Sequence, residues 1–222
     1  TDKDISVLLS NFGWDQKLDI RVVSLGKLLR FLIALHLSLH SLNEMADTEY
    51  ENWPDLKLPR PGAEDITGYL VAYKSFIEIS FVSSLFSIIE SSIRAYYKHI
   101  APNEYKNIKN STYKVTKIFL LEKLDKEFSI GLEWVDFMRN IRNIIHNNGV
   151  FSPIDGKERI LVYKGTEYEF VPGNTLNFVN WPLLLDLADD FRGMMFNIST
   201  DENIRSIPGT IPEQFRSSGL RS

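Results

Sequence analysis

The chain contains no cysteine. This excludes a disulfide framework, cysteine-ligated zinc and thiol catalysis, and it suits a reducing cytoplasm. It also lacks an excess of positive charge: 25 Lys and Arg face 29 Asp and Glu, for a formal net charge of −4. Nothing in that balance draws the whole molecule to nucleic acid, so any RNA contact must come from a local basic patch. Histidine is scarce, with four in the chain. His36 and His40 lie one helical turn apart, but no third ligand neighbours them, and a metal site needs more than two. No metal and no cofactor are expected. A glycine-rich phosphate loop, a GxSxG turn and paired metal-binding carboxylates are all absent. The most apolar runs, Leu28–Leu39 and Phe76–Ile89, fall short of the ~20 residues that span a bilayer. The expectation is a soluble, cytoplasmic protein with no membrane partner.

What is present is largely helical pattern. With 222 residues and 44% hydrophobic content, one domain with a sizeable core is expected over residues 1–198, followed by a polar C-terminal tail over 199–222. Leucines at three- and four-residue spacing mark a long helix from about Val22 to Ala46. Three prolines place a loop over 52–62. A helix from about Glu64 to Ile100 follows, and its stretch from Phe76 to Ile89 is apolar or serine nearly all round, as in a buried central helix. After Gly149 the period changes to β-type, and a hairpin is expected over 158–171, turning at Lys164-Gly165-Thr166. Asn180 as N-cap with Pro182 in the first turn opens a last helix, about Trp181–Asn197. The fold class is mainly α: an antiparallel helical bundle of five to six helices, with a β-hairpin before the last.

The stretch Gly131–Gly149, GLEWVDFMRNIRNIIHNNG, carries the chemistry. On a helical wheel with Arg139 at zero, His146 falls at roughly −20°, Arg142 at roughly −60° and Asn143 at roughly +40°. Trp134, Phe137, Met138, Ile141, Ile144 and Ile145 occupy the other side. One face packs; the other presents two fixed positive charges beside the side-chain type that titrates near neutrality. Asn147-Asn148-Gly149 is a helix stop, because Gly and Asn tolerate the left-handed conformation.

At these residues the chain resembles the HEPN domains, whose signature is Arg-x(4–6)-His. Six residues separate Arg139 from His146, Asn140 directly follows the arginine, and RNIIHNNGV looks like the corresponding segment of HEPN-like proteins in bacterial defence and toxin systems. The stricter RNxxxH form is absent, and whether Arg139 or Arg142 is the family's arginine stays open. The resemblance implies a metal-independent endoribonuclease. His146 would move protons at the 2′-OH and the 5′-O leaving group, and arginine would hold the scissile phosphate. Arg142 and Asn143 would support them, and Glu90, on the preceding long helix, would orient an arginine. One motif per chain implies a homodimer, and the defence context implies a partner protein of a defence or toxin–antitoxin system.

Lys106, Lys109 and Lys114, interleaved with tyrosines, are candidate RNA contacts, as is Asn147 at the helix end. Two other readings compete. Many HEPN-like domains are non-catalytic interaction or regulatory modules, and the Lys/Tyr region alone fits an RNA-binding helical bundle. An exposed connector and an ordinary polar helix face are the plainer accounts of the same residues.

Overall fold

The computed structural model describes residues 1–47, 63–108, 112–125, 128–147 and 149–213, apart from the side chains of 45–47, 63–66, 112, 129–130 and 146. The expected loop 52–62 and Lys109 lie outside the described residues. Among those described, the chain forms eight helices and one two-stranded sheet. The helices are α1 (Asp2–Phe12), α2 (Ile20–Asp47), α3 (Ala63–Ile100), α4 (Pro102–Asn107), α5 (Thr112–Glu122), α6 (Ser129–His146), α7 (Trp181–Thr200) and α8 (Glu202–Arg205). Strands β1 (Arg159–Tyr163) and β2 (Thr166–Phe170) lie between α6 and α7. The mainly helical class with a hairpin before the last long helix is therefore correct, but five to six helices is too few. The additional α4 and α8 are one or two turns long, too short for a hydrophobic period to register in sequence.

Helix α3 packs against α2, α5, α6 and α7, and its buried Phe81, Leu85, Ile89, Ile93 and Tyr96 run down one side at helical spacing. Helix α6 buries Trp134, Phe137, Met138, Ile141 and Ile144, and α7 buries Leu184, Leu187, Ala188, Phe191 and Met195. Each large apolar side chain so buried contributes about 1.5–3 kcal/mol. Trp134 also donates from Nε1 to the carbonyl of Leu187 at 2.9 Å, which satisfies the one polar group an indole brings into a core.

The hairpin turns at Lys164-Gly165, both with positive φ (50° and 76°), the two-residue turn whose twist matches paired strands. Its register pairs Arg159 with Phe170 and Tyr163 with Thr166. Phe137 of α6 anchors it, stacking on Tyr163 at 5.0 Å and meeting Tyr168 at 4.7 Å. Lys164 Nζ bridges to Asp190 of α7 at 2.6 Å. A two-stranded hairpin is marginal by itself; this one is held by helix contacts.

Three expectations need correction. Helix α3 is not buried all round: Phe76 and Ile79 are exposed, as are Tyr69 and Val71 before them and Ile33 and Leu37 on α2. Burial is concentrated in the C-terminal half of α3, where α5, α6 and α7 also pack. Secondly, α2 and α3 contain windows, Ile20–Glu44 and Thr67–Ile100, long and apolar enough to cross a membrane by length and composition, with 33% and 56% of the windows buried. The apolar runs looked too short only because isolated polar residues divide helices that continue past them. Thirdly, the expected tail is packed as far as 213. Ile204 and Ile211 are fully buried, and Arg21 holds the segment in place. The Arg21 guanidinium pairs with Asp19 at 2.6 Å, donates to the carbonyls of Ile207 (3.1 Å) and Gly209, and lies 4.3 Å from the Trp14 ring centre. Both members of that ion pair are buried.

Candidate functional site

Helix α6 places the expected residues because its apolar positions fix its rotation. With Trp134, Met138, Ile141 and Ile144 inside, Arg139, Asn143 and Asn147 fall at four-residue steps on one stripe facing outward. The stop is built as its residues require. The Asn147 N–H bonds the carbonyls of Asn143 and Ile144 at 3.1 and 3.0 Å, and the Gly149 N–H bonds Ile144 O at 2.9 Å. Gly149 has φ +83°, in the left-handed region that a residue with a Cβ rarely enters. His146 is the last residue of α6; its side chain lies outside the described residues.

The two arginines diverge. Arg139 lies over the ring of Tyr113 on α5, its guanidinium carbon 3.9 Å from the centroid, and Arg142 lies over Phe86 on α3 at 4.9 Å. Neither forms an ion pair among the described residues. Aromatic faces hold a cation by their quadrupole without neutralising it, so each guanidinium is oriented by a ring face. The Tyr113 platform is itself tethered: its hydroxyl donates to Asp136, which also pairs with Lys117 at 3.2 Å. Burial works against charge on Lys117, but hydrogen bonds to Asp136 and Tyr113 outweigh it and hold the ammonium above its usual range.

A cleft of about 340 Å³ opens beside α6, lined by Arg139, Asn143, Asn147, Phe151, Ile154 and Arg159 among others. It brings together three of the expected residues and leaves Arg142 on the α3 side. It also contains one that sequence reading missed. Arg159, the first residue of β1, donates from Nη1 to the side-chain oxygen of Asn140 at 3.3 Å. Asn140 is buried and spends its amide N–H on the carbonyl of Asp136 at 2.8 Å. The sole sequence signal for Arg159 was a positive charge at the start of a hairpin, which has no fixed relation to a helix face.

Glu90 lines a different cleft, with Lys27, Ser87, Ser91 and Arg94, between α2 and α3. Lys106 and Lys114 are exposed on α4 and α5. The tyrosines near them are not free stacking surfaces: Tyr96 and Tyr97 are buried, Tyr105 packs edge-on against Tyr97 at 6.0 Å, and Tyr113 lies under Arg139. His36 and His40 are exposed on α2. No group of three or more potential metal ligands comes together among the described residues. Comparison with family models, curated proteins and solved structures gives no match.

Proposed function

We propose that the chain is a metal-independent endoribonuclease of HEPN type, a helical bundle that works as a homodimer in the cytoplasm in a defence or toxin-like role. The supporting observation is the α6 cleft, where Arg139 is oriented by an aromatic ring instead of a carboxylate and lies beside Asn143 and Asn147. Such a guanidinium suits a scissile phosphate, because it offsets the charge that grows on the non-bridging oxygens. His146, two turns further along the same helix, takes the proton from the 2′-OH as O2′ bonds to phosphorus. The P–O5′ bond then breaks, leaving a 2′,3′-cyclic phosphate and a 5′-OH end. The leaving oxygen needs a proton from a second acid, and the other copy's His146 supplies it. Asn143 supports the charge in the cleft, and Lys106, Lys109 and Lys114 guide the strand; Arg142, over Phe86, and Glu90, in its own cleft with Lys27 and Arg94, lie off this site.

The test is cleavage of a cellular RNA pool in EDTA by wild type and His146→Ala. The reading requires that the variant fold and lose cleavage; undiminished cleavage removes His146 from the mechanism. Sedimentation as a monomer at concentrations where cleavage occurs removes the dimer.

A second reading, a non-catalytic interaction module, draws on a different observation. Ile33, Leu37, Phe76 and Ile79 expose apolar surface on α2 and α3, the kind of patch that partners cover. An interaction module of this type neither cleaves RNA nor shifts it in a salt-dependent manner.

A further inference from the structure

The α6 cleft has two unlike sides. One is polar: the α6 stripe supplies Arg139, Asn143 and Asn147. The other comes from the chain after α6, where Arg159 stands with the lip Pro153-Ile154. Arg159 is fixed by its bond to Asn140, by Asp155 at 3.5 Å and by the Phe151 ring at 5.7 Å. Two guanidiniums, one from a helix and one from a strand, therefore line one small cleft; Arg159 has the Asp155 carboxylate at its outer side, and Arg139 has no carboxylate partner among the described residues. The lip is unusual. Ile154 is fully exposed, at 109% of its reference area, in a turn closed by the Gly156 N–H on Pro153 O at 3.0 Å. At that position it contributes nothing to the core.

We infer that this cleft binds one unpaired nucleotide of single-stranded RNA, its phosphate held between Arg139 and Arg159 and its base laid on Pro153-Ile154. The choice of RNA over another phosphate ligand rests on the ribonuclease reading above. Paired cations fit a phosphodiester, an apolar lip fits a base face, and the side-chain amides of Asn143 and Asn147 offer both donors and acceptors to a base edge. The volume lies at the small end of ligand pockets, ~300–1,000 Å³, which suits one splayed-out nucleotide and not a stacked, paired helix. Arg159 is thus a substrate-binding residue contributed by the hairpin, and Ile154 a base platform.

The experiment uses full-length protein carrying His146→Ala, so that RNA is bound and not cut. Binding of a short fluorescein-labelled oligouridylate is followed by anisotropy across a salt series. Arg159→Gln keeps an amide donor for Asn140 while removing the charge; it is expected to weaken binding about tenfold and to reduce the log–log salt slope by about 0.7, the value for one phosphate contact on a single strand. Ile154→Ser, at an exposed position that cannot affect folding through the core, is expected to weaken binding about threefold with the slope unchanged. Arg205→Gln, on α8, is the control and should bind like the parent. Annealing the oligonucleotide to its complement should abolish the Arg159 effect. Parent-like binding by both cleft variants overturns the inference, as does a parent that binds no RNA. If the wild-type chain still leaves cyclic phosphate ends in that case, the ribonuclease reading survives without the clamp. Loss of binding in the cleft variants of a chain that never cuts RNA keeps the clamp and overturns the nuclease.

Discussion

The Arg139 guanidinium lies 3.9 Å from the ring centre of Tyr113, and the Tyr113 hydroxyl donates to Asp136, one turn before Arg139 on the same helix. The platform is thus clamped to the element that carries the cation. Tyr113→Leu removes the face that orients Arg139, an interaction of about 0.5–2 kcal/mol. The expected loss in kcat/KM for RNA cleavage is about 2–30-fold. Tyr113→Phe keeps the ring and should retain most activity. An equal loss in both variants would assign the role to the hydroxyl instead.

Trp134 joins α6 to α7 through Leu187, so the site's helix is held by an indole in the core. Trp134→Phe removes the donor and some volume, and should cost about 2 kcal/mol. Urea unfolding should show a lower midpoint at an unchanged m-value.

Arg21 and Asp19 form a buried pair on which the segment around Ile207 and Gly209 hangs. Arg21→Met leaves Asp19 buried without its partner, at a cost of about 3–5 kcal/mol, and should open 204–213 to limited proteolysis. Adding Asp19→Asn should recover part of the loss, because it removes the uncompensated charge. Additive destabilisation by the two changes would contradict this.

How far sequence reached can be judged from particular residues. The end of α6 with its Gly149 stop, the hairpin turn and the Asn180 cap, whose side chain accepts from the Leu183 N–H at 3.0 Å, are local events, and local residue chemistry announces them. The apolar stripes of α6 and α7 were also legible, since burial follows period. Arg159 was not: it meets Asn140 across 19 positions of chain, and only the docking of the hairpin on Phe137 brings them together. The separation of Arg139 from Arg142 was hidden for a similar reason. A helical wheel puts them on one face, but the neighbouring helices α5 and α3 each offer an aromatic ring to a different one. The packed segment after α7 reads as polar because its anchors, Ile204 and Ile211, are isolated, and the buried ion pair that receives it has no hydrophobic signature.

Glu78 supplies a pH test. It lines an apolar cleft with Ile79, Val82, Ile141, Ile145, Leu176 and Val179. Burial raises its pKa above the ordinary 4.5, with Lys74 opposing. A carboxyl whose folded pKa is raised favours folding while protonated, and that contribution is lost as pH rises through the folded value. Glu78→Gln should therefore melt like wild type well below pH 4.5 and at a higher temperature near neutrality. A melting difference that does not change with pH would contradict the assignment.

The account turns on whether the α6 face cuts RNA by attack of the neighbouring 2′-OH. The most direct measurement is end-group analysis of RNA incubated in EDTA with wild type, Arg139→Ala and His146→Ala. The account predicts 2′,3′-cyclic phosphate and 5′-OH ends from wild type and neither from the two variants. Ends bearing a 5′-phosphate, or cyclic ends that persist in His146→Ala, would contradict it.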